Sequence, residues 1–169
     1  MAGFGGAIKL TGEQAYRQAL QGIAADLKNV AAEQKLTAAT YDKTDTSLTA
    51  LTKRSEELKA KLASQQEKVK TLTAALKDYQ SQQEKNRTTL ETYQQTLDKE
   101  KKKLAEIEAQ YGKNSEEYRT QAKLVAELEK EVQKANAQFE KNETTIKKTQ
   151  AALTSAEADV KNTTTALDK

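Results

Sequence analysis

The chain has 169 residues, 36% of them hydrophobic, 31% charged and 5% aromatic, and carries a net charge of +3. It contains no Pro, no Cys and no His, which excludes disulfides, Cys/His zinc sites, Cys–His dyads and Ser–His–Asp triads. So balanced a charge gives no reason to expect a nucleic-acid partner. So low a hydrophobic content is poor for a compact globule of this length, but it suits helices that each bury one stripe.

Residues Met1–Thr11 read as a flexible arm rich in Gly. The arm has no basic region or apolar run of signal-peptide length, and no segment approaches the roughly 20 apolar residues that span a bilayer. The G-F-G-G cluster lacks the strand and the Lys-Ser/Thr of a phosphate loop. A first helix is expected over residues 12–41, capped by Thr11 with Gln14 three residues on. Its apolar positions are Tyr16, Leu20, Ile23, Leu27 and Val30. Thr37, Thr40, Thr44, Thr46 and Ser47 then thin the pattern. Asp42–Asp45 is expected to turn the chain, with Thr44 or Asp45 capping the next helix.

The central helix is expected over residues 46–111. Leu48, Leu62, Val69, Leu76, Leu90, Leu97 and Leu104 recur in steps of seven, and Leu51, Leu58, Leu72 and Ile107 recur three residues after them. This is the a/d stripe of a coiled coil, because a 3-4 spacing places both sets on one narrow face. Gln83 and Asn86 interrupt it as a polar pair, which either fixes register or marks a weak layer. Gly112 suits the left-handed position after a helix, and Asn114 with Glu117 has capping-box spacing. These two residues are the candidate hinge.

The last helix is expected over residues 115–167, with Tyr118, Val125, Val132, Phe139, Ile146, Leu153, Val160 and Leu167 at a. Four segments, starting at Tyr41, Gln83, Tyr111 and Phe139, share a Lys two residues on, then Asn or Thr, then an apolar residue. Their offsets are whole heptads, and the a phase persists through them. A modular rod, adjustable by whole heptads, follows from such phase. The fold class is therefore all-α, with long heptad-patterned helices.

Charge adds a second signal. Flanking e and g positions between Leu51 and Gln110 carry Arg54, Lys59, Lys61, Lys68, Arg87, Lys101 and Lys103 against Glu108, and the first helix contributes Asp26 and Glu33 at g. Those after Gly112 carry Glu117, Glu129, Glu131, Glu143, Glu157 and Asp159. A parallel homomer would set the basic block against itself. Folding back relieves this, with Asp26 beside Lys61, Glu33 beside Arg54 and Lys68 near Asp159. Leu58 would then meet Leu27, and Leu62 would meet Ile23. Helical hairpins are thus expected in isolation, and a continuous rod under confinement. Self-association through the seam is a further option.

Catalysis is not expected. Glu56 and Glu57, Glu106 and Glu108, and Glu116 and Glu117 are close carboxylates, and exposed helix faces would leave their acidities alike. No metal or cofactor residues are expected. The basic run Lys99–Lys103 reads as a solvated face.

The segments Ile8–Asp45 and Ala50–Gln80 resemble the N-terminal region of tail tape measure proteins of long-tailed bacteriophages and prophages. The likeness lies in the glycine-containing start, the Tyr-Asp-Lys-x-Asp junction at Tyr41–Asp45 and the Leu/Lys/Gln-rich helix that follows. It extends to about Gln110, and more loosely through the Lys-Asn repeats. The resemblance implies a structural virion protein inside the tail tube, whose length sets that of the tube. It also implies the tail-tube protein and tail-assembly chaperones as partners, and residence in host cytoplasm during assembly. The sequence stops with the a phase still running and lacks the apolar and peptidoglycan-cleaving parts of many members, so a fragment is expected. A generic cytoplasmic coiled-coil scaffold or interaction rod is the alternative; a bacterial surface fibre is disfavoured.

Overall fold

The computed structural model describes residues 12–168; the expected arm and the Thr11 cap lie outside them. The described residues are 92% helical and contain no strand. Three helices follow one another: α1 (Glu13–Thr40), α2 (Leu48–Tyr111) and α3 (Glu116–Leu167). Their composition explains the length. Leu, Ala, Lys, Glu and Gln are strong helix formers, and no Pro removes a backbone donor.

The helix ends are set by local chemistry. Gly12 is the N-cap of α1 at φ 77°, and its carbonyl accepts from the Tyr16 N–H at 3.0 Å. A side chain there would meet the Tyr16 ring 3.2 Å away. Tyr41 leaves α1 in extended conformation. Ser47, two residues beyond Asp45, caps α2: its Oγ accepts from the Ala50 N–H and its carbonyl from the Leu51 N–H.

The described residues form two compact units. The first comprises residues 79–145, the later part of α2 and the earlier part of α3. Its core is Leu90 and Leu97 of α2 with Val125, Leu128, Val132 and Ala135 of α3, flanked by Tyr93, Leu104, Leu124 and Phe139. The helices run antiparallel here: Gln83 bonds to Phe139, while Glu100 bonds to Gln121 further along. Burying each Leu stabilises by about 1.5–3 kcal/mol, so a thin seam suffices.

The second unit comprises residues 12–78 with 146–168. Leu72 and Leu76 of α2 cluster with Leu153 and Ala156 of α3, and Leu20 of α1, Val69, Ile146 and Ala152 pack against them. Ile23, Val30 and Thr37 are the buried residues of α1. The Tyr16 hydroxyl bonds to Asp78 and the Thr37 hydroxyl to Glu57, so α1 and α2 are antiparallel. These pairs shift the register by about nine residues from the expected Leu58–Leu27 and Leu62–Ile23 contacts. The start of α2 at Ser47–Leu48 lengthens the connection and moves the pivot along the chain.

The seam residues do not share one environment. Leu72, Leu76, Leu90 and Leu97 are buried, and Leu58, Leu62, Val69, Leu104 and Ile107 are half-buried. Leu48 and Leu51 are exposed, at 81% and 47%, and correct the expected start of the buried stripe. Ala50, at 0%, takes the inward position there. Leu72→Ala or Leu97→Ala is expected to lower unfolding free energy by about 2–5 kcal/mol. Leu48→Ala should stay within about 0.5 kcal/mol. Chemical denaturation followed by circular dichroism measures both.

Candidate functional site

Three polar assemblies stand out from the helical pattern: the α1–α2 elbow, an amide layer in the α2–α3 seam and the turn at Gly112. The elbow is the most elaborate. Asp42 Oδ1 accepts from the Thr44 N–H at 2.9 Å and the Thr44 hydroxyl at 2.8 Å. Asp45 Oδ1 accepts from the Ser47 N–H at 2.8 Å. Short carboxylates closing turns onto the backbone two residues on are Asx turns. Arg54 reaches back from α2 and donates to the carbonyls of Asp42 at 2.6 Å and Asp45 at 3.0 Å. It therefore serves the turn rather than Glu33, the partner expected from charge spacing.

Behind the turn, Glu57 is 4% exposed and accepts from the Thr37 hydroxyl, itself buried. This corrects the expectation that Glu57 faces water. Its position seven residues after buried Ala50 explains the burial, since both lie on the side of α2 turned to α1. Sequence reasoning missed it because Glu57 sits beside Leu58, whose a/d assignment draws the reading to another face. A groove of about 370 Å³ opens here, lined by Gln34, Thr37, Ala38, Tyr41, Lys43, Arg54, Glu57 and Leu58.

Hydrogen bonds dominate the electrostatics of the turn. The Thr44 backbone and hydroxyl, with smaller help from Arg54, hold Asp42 below the usual carboxylate range. The Ser47 backbone and hydroxyl do the same for Asp45, again with Arg54. A depressed folded pKa contributes stability that is present above the unfolded value, about pH 4, and drains away as pH falls through the folded value.

In residues 79–145 the expected polar pair has a third member. Gln83 Nε2 donates to the Phe139 carbonyl at 3.1 Å, and Gln138 Nε2 donates to Asn142 Oδ1 at 2.8 Å. Asn142 is 3% exposed. Gln83 Oε1, Asn86 Nδ2 and Asn142 Nδ2 are buried without a hydrogen-bond partner. Each such amide atom opposes folding through its desolvation. At a second polar step, Gln121 Nε2 donates to both the carbonyl and the carboxylate of Glu100. Lys103 and then Gln121 hold the Glu100 carboxyl below its ordinary range.

The candidate hinge divides its labour differently from expectation. Gly112 has φ 78° and its N–H bonds to the Glu108 carbonyl at 3.0 Å, which closes α2. Ser115, not Asn114, caps α3, its Oγ accepting from the Tyr118 N–H at 3.1 Å. Asn114 is exposed in the turn. Of the opposed charge blocks, Lys101 and Glu129 meet at 2.7 Å. The other ion pairs are mostly between neighbours on one helix, such as Arg87–Glu84 and Lys103–Glu100. Within the run Lys99–Lys103, Lys101 thus reaches α3 while Lys103 pairs with Glu100 on its own helix.

Among the described residues no group of three or more acidic side chains could hold a metal ion, and no helix is long and apolar enough to cross a membrane. Compared with family models, curated proteins and solved structures, the chain matches none.

Removing the Ser47 cap by Ser47→Ala is expected to cost about 1 kcal/mol. Asp42→Ala should lower the melting temperature most at neutral pH, with the gap to the parent closing towards pH 2; a gap independent of pH would show that the Asp42 charge contributes nothing. Asn86→Leu should stabilise by about 1 kcal/mol, because it removes an unpaired buried donor. Thermal melts across pH, and urea titrations at pH 7, measure these effects.

Proposed function

We propose that the chain is part of a tail tape measure protein, a structural protein of the virion that lies in the tail lumen and sets tube length. The tail-tube protein and the assembly chaperones are its proposed partners. The resemblance of Ile8–Asp45 and Ala50–Gln80 supports this reading. The observation that carries it is the burial in α3. Every a and d residue from Tyr118 to Leu167 is buried or half-buried. A stripe kept in that phase accepts insertion or loss of whole heptads without moving to another face. A ruler needs this property, because helix length grows by about 1.5 Å per residue.

In the proposed cycle the free chain is folded back and the chain within a tube is extended. Straightening uncovers the α2–α3 seam around Leu90, Leu97 and Leu128, where each buried Leu contributes about 1.5–3 kcal/mol, so whatever holds the extended form must cover that stripe. The turn itself adds little, since a glycine inside a helix costs about 1 kcal/mol relative to Ala and exposed pairs such as Lys101–Glu129 contribute about 0–1 kcal/mol. A tube or chaperone that binds the extended form better shifts the population towards it.

Deleting residues 84–111, four heptads, from the protein in its virion should shorten the tail by about 42 Å. Electron micrographs of the particles give the length, and an unchanged tail overturns the proposal. Labels at Ser64 and Thr154 test the conformational part. They should lie within a few nanometres in the free chain, against about 135 Å for a continuous helix.

A further inference from the structure

The α2–α3 seam of residues 79–145 has a centre. Gln83 donates to the Phe139 carbonyl, and these two residues each lie 28 residues from Tyr111. Glu100 and Gln121, bonded further along, lie 11 and 10 residues from it. Glu108 and Lys113, which meet at 3.2 Å across the turn, lie 3 and 2 residues from it. The two helices therefore pair symmetrically about Tyr111, the last residue of α2.

Tyr111 itself is left without cover. It continues the row of Leu97 and Leu104, and Tyr118 follows it by seven residues. Leu97 is buried and Leu104 packs against the core, yet Tyr111 is 54% exposed. Its counterpart in the register of the seam is Tyr111 again, which one chain cannot supply.

We propose that two copies of this chain exchange α3 and pair antiparallel, with α2 and α3 of each copy running as one helix through Gly112. The two-fold axis of the pair passes beside Tyr111, so that the two Tyr111 rings pack on one another. Each seam contact of the folded-back chain then recurs twice between the copies: Gln83 with Phe139, Glu100 with Gln121 and Lys101 with Glu129. Exchange of identical elements is a low-cost route to a dimer for this reason. What changes lies at the turn. Gly112 gives up its left-handed φ of 78° and the Ser115 cap is lost, while Tyr111 gains cover. The chain has no Pro to bar a helix through the turn. The seven-residue steps from Leu104 through Tyr111 to Tyr118 keep the apolar stripe on one face of that helix. A second copy is the fitting occupant because α3 already matches α2 at each of these points. The pairing follows from the register of α2 on α3 and does not depend on the tail reading.

The test uses the full chain, refolded over a range of concentrations and followed by light scattering. The parent should form a dimer at high concentration, since the exchange joins two chains. Gly112→Ala should raise the association constant about tenfold or more, because alanine resists the left-handed turn and favours the helix. Nothing lies within 4 Å of the added methyl, so the effect is on the backbone. Tyr111→Lys should lower the association constant about tenfold or more, because it replaces covered rings by like charges at the axis. The melting temperature of the monomer should hold, since Tyr111 is exposed there. Spin labels on Thr92→Cys and Lys130→Cys, introduced into a chain without Cys, identify the dimer. With one doubly labelled copy diluted in unlabelled protein, double electron–electron resonance should give about 57 Å in the dimer and less than about 30 Å in the monomer. If the parent and Gly112→Ala both stay monomeric at every concentration, the proposal is overturned. A dimer whose labels stay less than about 30 Å apart, or one that ignores Tyr111→Lys, also overturns it.

Discussion

An α-helix with a narrow apolar stripe cannot hide that stripe by itself, and each helix of this chain carries one. Their stability therefore comes from side-by-side packing rather than from propensity alone. In residues 79–145 two helices share one seam, built on Leu90 and Leu97 against Val125, Leu128 and Val132. In residues 12–78 with 146–168 three helical segments share Leu20, Leu72, Leu76 and Leu153. Everything polar is accommodated around these contacts: caps at Ser47 and Ser115, a carboxylate under α1 at Glu57, and amides within the seam at Gln83 and Asn142.

The polar features differ in what they contribute. Elbow and turn groups are satisfied by short local bonds, which hold backbone directions with little buried surface. The amide layer at Gln83, Asn86 and Asn142 does the opposite, since it leaves buried atoms unpaired. A seam made only of Leu would bury no such atoms, so this layer opposes folding where an apolar layer would not. The Glu100–Gln121 pair places polar groups between the same helices while keeping its bonds.

Charge has a lesser structural role than its segregation along the chain suggests. Lys101–Glu129 joins the basic and acidic blocks, with both side chains nearly half exposed. Screening keeps such contacts weak. Arg54 shows where a cation does more: its planar fork reaches the carbonyls of Asp42 and Asp45, the first of which also accepts from the Asp45 N–H. The structural value of that residue lies in its donors.

The sequence by itself determined the class of fold and the periodicity of burial in α3, because a seven-residue repeat without Pro has one regular solution. Gly112 was legible as a helix end for the same kind of reason, since glycine tolerates positive φ and other residues resist it. Tertiary structure alone decided the register of α1 on α2, which rests on Thr37 meeting Glu57 and Tyr16 meeting Asp78. Such pairings depend on where the elbow pivots, and a sliding heptad pattern allows several pivots of similar quality. It also decided which seam residues are covered. Leu48 and Leu76 are equivalent in the repeat, yet Leu76 lies in the cluster shared with α3 and Leu48 lies open. Periodicity states which face of a helix is apolar, but burial also requires a neighbour at that height.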